Sequence, residues 1–180
     1  MNLSGPPAAA VLPLERDHPM MRPRACVLLL SFLAPAPAWG ADFRIELVAQ
    51  AGKETVAKAT YDSADTAPAS RAVLMAAVNT PITVRWSVRN LDAAQTAKDV
   101  LVHGFVVQED RPNQVEVPRL TKGVLVESAL TMDFRPQDHG TGEITFRVRQ
   151  AGCYLIRLEL KGAAGPGAAE PFAALDLVVR

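Results

Sequence analysis

Four side chains of residues 41–180 form a candidate copper-binding set, in which Met75 is the alternative to Met132. His103 and His139 offer imidazole nitrogens, Cys153 offers a thiolate, and Met132 offers a thioether. Two histidines, one cysteine and a weakly bound methionine are the ligands that blue-copper centres use. Copper binding by these four residues is therefore the most specific chemical hypothesis that the residue types allow.

The order of these residues along the chain argues against that hypothesis. Cupredoxins place the cysteine, the second histidine and the methionine in the loop between the last two strands, with the histidine after the cysteine. No histidine or methionine follows Cys153. His139 and Cys153 would also flank one strand about 26 Å long, too far apart for a single ion. A periplasmic, cupredoxin-like, copper-handling protein is kept as the alternative, and no cofactor is expected.

His103 also has a structural explanation, because it interrupts an otherwise apolar run. A histidine in a central strand is partly buried and needs a hydrogen-bond partner. The sequence predicts a carboxylate or a backbone carbonyl in that role, with Glu159 or Asp176 as the candidate across the sheet.

The polar segment around Asp138 and His139 could bind a ligand or perform acid–base chemistry. A carboxylate beside a histidine is suited to proton transfer. However, Pro136, Gly140 and Gly142 are typical of a turn, in which aspartate bonds its own backbone. The chain also has no Gly-x-Ser-x-Gly, CxxC or HExxH pattern. We therefore predict a non-enzymatic loop and keep Asp138 and His139 as candidate binding residues.

Arginines recur at outward positions of two predicted strands. Arg85 and Arg89 alternate with apolar residues in one strand, and Arg147 and Arg149 do so in another. Arginine is enriched at interfaces because its planar guanidinium binds carboxylates through two parallel hydrogen bonds. These four arginines are candidate contacts for a protein partner, and cross-strand pairing with Glu46 and Glu143 is the competing explanation.

The sequence predicts that the elements that position these residues are β-strands. Apolar and polar residues alternate from residue 43 onward, as expected for half-buried strands. Seven to nine such segments, separated by turn residues, predict an all-β, immunoglobulin-like antiparallel β-sandwich. The strands expected are Phe43–Val48, Ile82–Arg89, Val100–Val107, Val124–Phe134, Gly142–Arg149, Cys153–Leu160 and Phe172–Val179. An edge hairpin is expected within residues 56–78, turning at residues 62–65.

Two aromatic residues fit such a sandwich. Tyr154 follows a turn glycine at the start of the penultimate strand, in the manner of a tyrosine corner. Trp86 is placed on the inward face of its strand. The stretch from Ile82 to Leu160, with its VRN, KDVLV, LTMDFRPQD and GCYLIRLEL segments, resembles the bacterial Ig-like modules of the CARDB and NEW3 type. That resemblance implies a non-catalytic adhesion, spacing or protein-contact role.

The N-terminal segment predicts export. Residues 21–40 combine Arg22 and Arg24, an apolar run and small residues before a cleavage point, as in a secretory signal peptide. The apolar run is too short to span a bilayer. Residues 1–20 are interpreted as a mis-set translation start or a disordered extension. Residues 41–180 are then one secreted or periplasmic domain with a single cysteine, Cys153, and no internal disulfide.

Charge excludes one class of partner. Residues 1–40 hold three of the 19 basic and two of the 19 acidic residues, so residues 41–180 carry a formal charge of −1. A nucleic-acid-binding domain would carry a basic excess. The sequence therefore predicts a secreted or periplasmic, non-enzymatic binding or protein-interaction module with no transmembrane segment, whose partner is an unidentified protein or cell-envelope component.

Overall fold

A computed structural model describes residues 42–53, 55–63, 71–121, 123–165 and 167–180. Nine strands and no helices occur in these residues. The strands are β1 (Phe43–Ala51), β2 (Thr55–Asp62), β3 (Ala72–Ala76), β4 (Pro81–Asn90), β5 (Ala97–Glu109), β6 (Val124–Phe134), β7 (His139–Arg147), β8 (Gly152–Lys161) and β9 (Phe172–Val179). The all-β prediction is confirmed, whereas the proposed signal peptide lies outside the described residues.

The strands form two sheets. One has four strands in the order β2-β1-β4-β7, and the other has five in the order β3-β9-β8-β5-β6. Alternation of apolar and polar residues gives each sheet one apolar face. In β4, for example, Ile82, Val84 and Val88 are buried. Buried residues of both sheets form one core cluster, so the sheets pack against each other in a sandwich-like arrangement.

One sequence prediction about topology is wrong. Residues 56–78 do not form an edge hairpin, because β2 pairs with β1 in the four-stranded sheet while β3 belongs to the five-stranded sheet. β3 pairs in parallel with β9, and Leu74 lies opposite Leu177. The sheets are therefore not entirely antiparallel. The residues between Ser63 and Arg71 lie outside the described part, so the expected turn at 62–65 is only partly covered.

Both aromatic predictions hold. The Tyr154 hydroxyl donates to the carbonyl of Gln150 at 3.0 Å, and its ring is 2% exposed. Trp86 is partly buried against the core. Directly opposite it on β7 is Gly142, where an added Cβ would lie 2.4 Å from the indole ring. The glycine is therefore required by the indole, since no side chain fits between them.

The outer face of the five-stranded sheet is partly covered. Phe105, Val107, Leu155 and Ala174 form a second buried cluster on that face, with Leu120 and Val124 packed against it. Leu120 belongs to the segment between β5 and β6, so this connection folds back over the sheet. Among the described residues, there is no helix with the length and hydrophobicity needed to cross a membrane.

Candidate functional site

Three of the four predicted arginines lie on one surface. β1, β4 and β7 share the four-stranded sheet, and Arg85, Arg89 and Arg147 are exposed on its outer face. Arg149 follows the end of β7 and is exposed beyond that strand. We call the first three residues, together with Arg44 of β1, the arginine face.

Most of the arginine face is engaged in local contacts. Arg85 pairs with Glu143 at 2.5 Å, as the competing explanation predicted. Arg89 donates to Gln137, and Arg147 donates to the backbone carbonyl of Asn79. Because the side chains of the Arg85–Glu143 pair are 61% and 51% exposed, water screens their attraction, and the pair contributes little to stability.

Asp138 ends the connection between β6 and β7, and His139 is the first residue of β7, at the border of the arginine face. The Asp138 carboxylate accepts a hydrogen bond from the backbone nitrogen of His139 at 2.9 Å. His139 is exposed and pairs with Arg89 across β4 and β7. His139 also lines a shallow polar depression, together with Arg44, Glu46, Ser87, Arg89 and Gln137.

The predicted copper ligands are not brought together. His103 lies opposite Glu159 on β8, whereas Cys153 lies six residues away on the same strand, about 20 Å by the strand rise. His139 belongs to the other sheet. Met132 projects toward the core near Gly140. Within the described residues, no group of three or more His, Cys, Asp or Glu side chains is arranged to hold a metal ion.

His103 has the carboxylate partner that the sequence suggested, and a second one in addition. Its Nδ1 lies 3.0 Å from Glu159 Oε1, and its Nε2 lies 2.9 Å from Glu127 Oε1. The side chain is only 6% exposed. Each ring nitrogen lies within hydrogen-bond distance of a carboxylate oxygen. The role predicted for this residue, a buried histidine bonded to a carboxylate, is confirmed.

Glu159 is the centre of this polar network. Besides His103, it contacts Arg157 at 2.9 Å and Lys161 at 3.0 Å. Burial alone would raise its pKa, but the hydrogen bonds from His103 and Lys161 and the charge of Arg157 outweigh burial, and the pKa lies below the ordinary value. Arg157 also stacks over the Phe172 ring at 3.8 Å. The network holds β5, β6, β8 and β9 together on the outer face.

A second charged cluster was missed by the sequence reasoning. Arg71 pairs with Glu109 at 3.0 Å and with Asp176 at 3.2 Å, and it donates to the carbonyl of Gln114. The carboxylates are 0% and 1% exposed. Asp176 also accepts from the backbone nitrogen of Asn113. These bonds fasten the β5–β6 connection to β9 and to the residue before β3.

The two carboxylates of this cluster are incompletely satisfied. Glu109 Oε2 and Asp176 Oδ1 have no well-aligned hydrogen bond, although Arg71 Nε lies 3.2 Å from the latter. Burial raises the pKa of Glu109 above its ordinary value, and the hydrogen bond and charge of Arg71 reduce that rise without cancelling it. The cluster therefore costs desolvation energy and serves to position the connection.

An apolar cleft opens between the sheets where β6 and β7 form their edges. Its volume is about 170 Å³. Trp86, Gly142 and Ile144 contribute from the four-stranded sheet, and the floor and opposite wall come mainly from β5, β6 and β8. The remaining lining residues are Leu47, Val84, Val102, Gly104, Phe105, Val106, Val126, Ser128, Leu130, Glu143, Ile156, Arg157 and Leu158.

The cleft is open to solvent and has few polar groups. Leu130, whose side chain faces the cleft, is 51% exposed. Ser128 is the polar residue of the lining whose side chain faces the cleft, because the side chains of Glu143 and Arg157 make their contacts on the outer faces of the two sheets. Mostly apolar walls with a few polar groups are the usual composition of ligand sites. Sequence reasoning placed Trp86 in the core but did not find this cleft, because the divergence of two sheets leaves no local signature.

Comparisons with known proteins add little. No protein family and no curated protein matches the chain. Among solved structures, it is similar to the C-terminal domain of wzt, with 13% sequence identity, coverage of 78% of this chain and 81% of that chain, and a TM-score of 0.40. Similarity at this level does not identify a function. The resemblance to CARDB and NEW3-type modules stays a prediction.

Proposed function

We propose that this chain is a secreted or periplasmic, non-enzymatic binding module with an immunoglobulin-like β-sandwich fold. The observation that carries the proposal is the apolar cleft between β6 and β7, with Trp86 in one wall and Leu130 half-exposed in the other. Exposed apolar surface is costly in water, and a recess lined by it is a common binding site.

The immunoglobulin-like part of the proposal is supported by two details. The Tyr154 hydroxyl reaches back four residues to Gln150, as in a tyrosine corner. Strands β1, β4 and β7 share one sheet, while β5, β8 and β9 share the other, which matches the division expected for an immunoglobulin-like order. Export is supported by the charged, apolar and small-residue segments of positions 21–40.

The arginine face is a weaker candidate than the cleft. Arg85 is neutralised by Glu143, and Arg89 and Arg147 already donate to neighbouring groups. A partner would have to replace these contacts. The cleft requires no such exchange, because its apolar walls face solvent.

The proposal is tested with a neutral solvatochromic dye, Nile red, as a probe of the cleft. The wild-type protein should enhance dye emission, and the bound dye should quench Trp86 fluorescence. Replacing Ser128 with phenylalanine fills the cleft from β6 and should abolish both signals. Thr141→Phe adds the same ring to the exposed outer face of β7 and should leave both signals unchanged. Equal dye binding by the two variants would refute the cleft as the binding site.

A further inference from the structure

β6 is an unpaired edge of the five-stranded sheet and runs along the rim of the cleft. Within the described residues, β6 pairs with β5 only, so one side of its backbone has no strand beside it. It spans 11 residues, whereas the other edge strands β2, β3 and β7 span 8, 5 and 9. An open edge of this length offers a row of backbone donors and acceptors to another strand.

β6 has few of the features that usually protect an edge: an extra residue, Leu125, interrupts its register with β5 near the start of the strand. Natural edge strands carry lysine, proline or bulges that block further pairing. The sequence of β6, VLVESALTMDF, contains no lysine, arginine, proline or glycine. Its register with β5 is regular from Val126 to Met132 and shifts only near its ends. By contrast, β2 carries Lys58, and β7 carries Gly140, Gly142 and Arg147.

The two faces of β6 differ in chemistry. Val126, Ser128 and Leu130 face the cleft. The alternate residues Glu127, Ala129, Thr131 and Asp133 point outward, and both ionisable residues among them are acidic. The Glu127 side chain is 53% exposed. A strand added beside β6 would therefore meet an apolar surface on one side and a negative surface on the other.

We propose that β6 binds an extended segment of a partner protein by strand addition. The segment would present apolar side chains toward the cleft and lysine or arginine on its outward face, next to Glu127 and Asp133. Backbone hydrogen bonds would supply affinity, and the alternating side chains would supply specificity. A second copy of β6 fits this edge less well, because β6 brings acidic residues and no basic ones. This inference rests on the proposed binding function and specifies the chemistry of the partner.

The probe for this inference is a fluorescent peptide of about nine residues, within the usual range of strand lengths, in which valine and lysine alternate. A valine–glutamate peptide of the same length tests the charge. A valine–lysine peptide with N-methyl groups along one edge tests the backbone hydrogen bonds. Only the unmodified valine–lysine peptide should bind, and it should slow hydrogen exchange of β6 amides while leaving β2 amides unchanged.

Two matched variants locate the binding edge. Ala129→Lys with Thr131→Lys places two cations on exposed outward positions of β6 and should weaken binding of the valine–lysine peptide about tenfold or more. Val56→Lys with Thr60→Lys makes the same charge change on exposed positions of β2, the edge of the other sheet, and should leave binding within about twofold. Circular dichroism and thermal unfolding verify that both variants fold.

Several results would overturn the inference. Equal binding of the valine–glutamate peptide would refute recognition by charge, and equal binding of the N-methyl peptide would refute backbone hydrogen bonding. Slower hydrogen exchange of β2 amides on peptide binding would show that the peptide binds the other edge. Analytical ultracentrifugation could instead show a concentration-dependent dimer. If the lysine substitutions in β6 abolished that dimer and those in β2 did not, the edge would bind a second copy of this chain and not a partner protein. Dye bound in the cleft without peptide binding would refute this inference alone. Absence of both would refute the proposed function as well.

Discussion

The outer faces of the two sheets carry the same kinds of charged side chain in opposite surroundings. On the four-stranded sheet, Arg85 and Glu143 form a pair that is more than half exposed. On the five-stranded sheet, Arg71 contacts carboxylates of Glu109 and Asp176 that are almost completely buried. The environment of an arginine, and not its presence alone, therefore decides how much its ion pairs contribute to stability. Water weakens the attraction between Arg85 and Glu143 but is excluded from the contacts of Arg71 with Glu109 and Asp176.

Removing the buried guanidinium of Arg71 should destabilise the protein more than any other single change considered below. Arg71→Met leaves Glu109 and Asp176 without their cation and should lower the free energy of unfolding by about 3–5 kcal/mol. Arg85→Met, the matched change on the exposed face, should lower it by less than about 1 kcal/mol. Urea denaturation monitored by circular dichroism measures both. Similar losses in the two variants would show that the faces do not differ as described.

A smaller effect is expected at the centre of the His103 network. Glu159→Gln removes the charge that His103, Arg157 and Lys161 share, and should cost about 1.5–3 kcal/mol at neutral pH. Because the pKa of Glu159 is lowered in the folded state, its contribution is present above the unfolded-state pKa and is lost as pH falls through the folded-state pKa. The difference between wild type and variant should therefore shrink on acidification.

Glu143→Gln is the control for that experiment. It removes a carboxylate of the exposed face and should change stability by less than about 1 kcal/mol. A wild-type advantage over Glu159→Gln that persists unchanged in acid would contradict the role assigned to the charge.

The contribution of Glu109 to stability should change with pH in the opposite direction to that of Glu159. Its pKa is raised in the folded protein, so its contribution to stability is greatest below the unfolded-state pKa and declines as pH rises through the folded-state pKa. Arg71, Asp176 and Asp110 are the charged groups that act on it. The stability of wild type relative to Glu109→Gln should fall with rising pH in chemical denaturation. A rise over the same range would refute the assignment.

The smallest effect is expected on the arginine face. Arg89→Ala removes an exposed hydrogen bond to Gln137 and should change stability by no more than about 0.5 kcal/mol. Thermal unfolding measures the change, and Lys161→Ala on the other sheet is the comparison, because Lys161 bonds the mostly buried Glu159. A larger loss of stability in Arg89→Ala than in Lys161→Ala would contradict the conclusion that charged groups on the four-stranded sheet contribute less to stability.

The sequence predicted the strands well because their signal is local. Alternation at Ile82, Val84 and Val88 follows directly from the geometry of a strand with one buried face. The partner of His103 was also predictable in kind, since a buried histidine between apolar residues requires a hydrogen bond.

The remaining features depend on contacts between distant parts of the chain. Arg71, Glu109 and Asp176 come together only because β3, β5 and β9 belong to one sheet, and nothing in their local sequence indicates it. The arginine face was predicted correctly as a surface, but sequence alone could not show how many of its members already have neighbours.

The parallel pairing of β3 with β9 constrains how the domain folds. Leu74 and Leu177 are about a hundred positions apart in sequence, and β9 stands between β3 and β8 in the sheet. Closing so long a loop is entropically unfavourable, and domains rich in such contacts fold slowly, in milliseconds to seconds. Until β9 is in place, β3 has no neighbour and β8 has one open side. The five-stranded sheet is therefore complete only when β9 has paired with both β3 and β8.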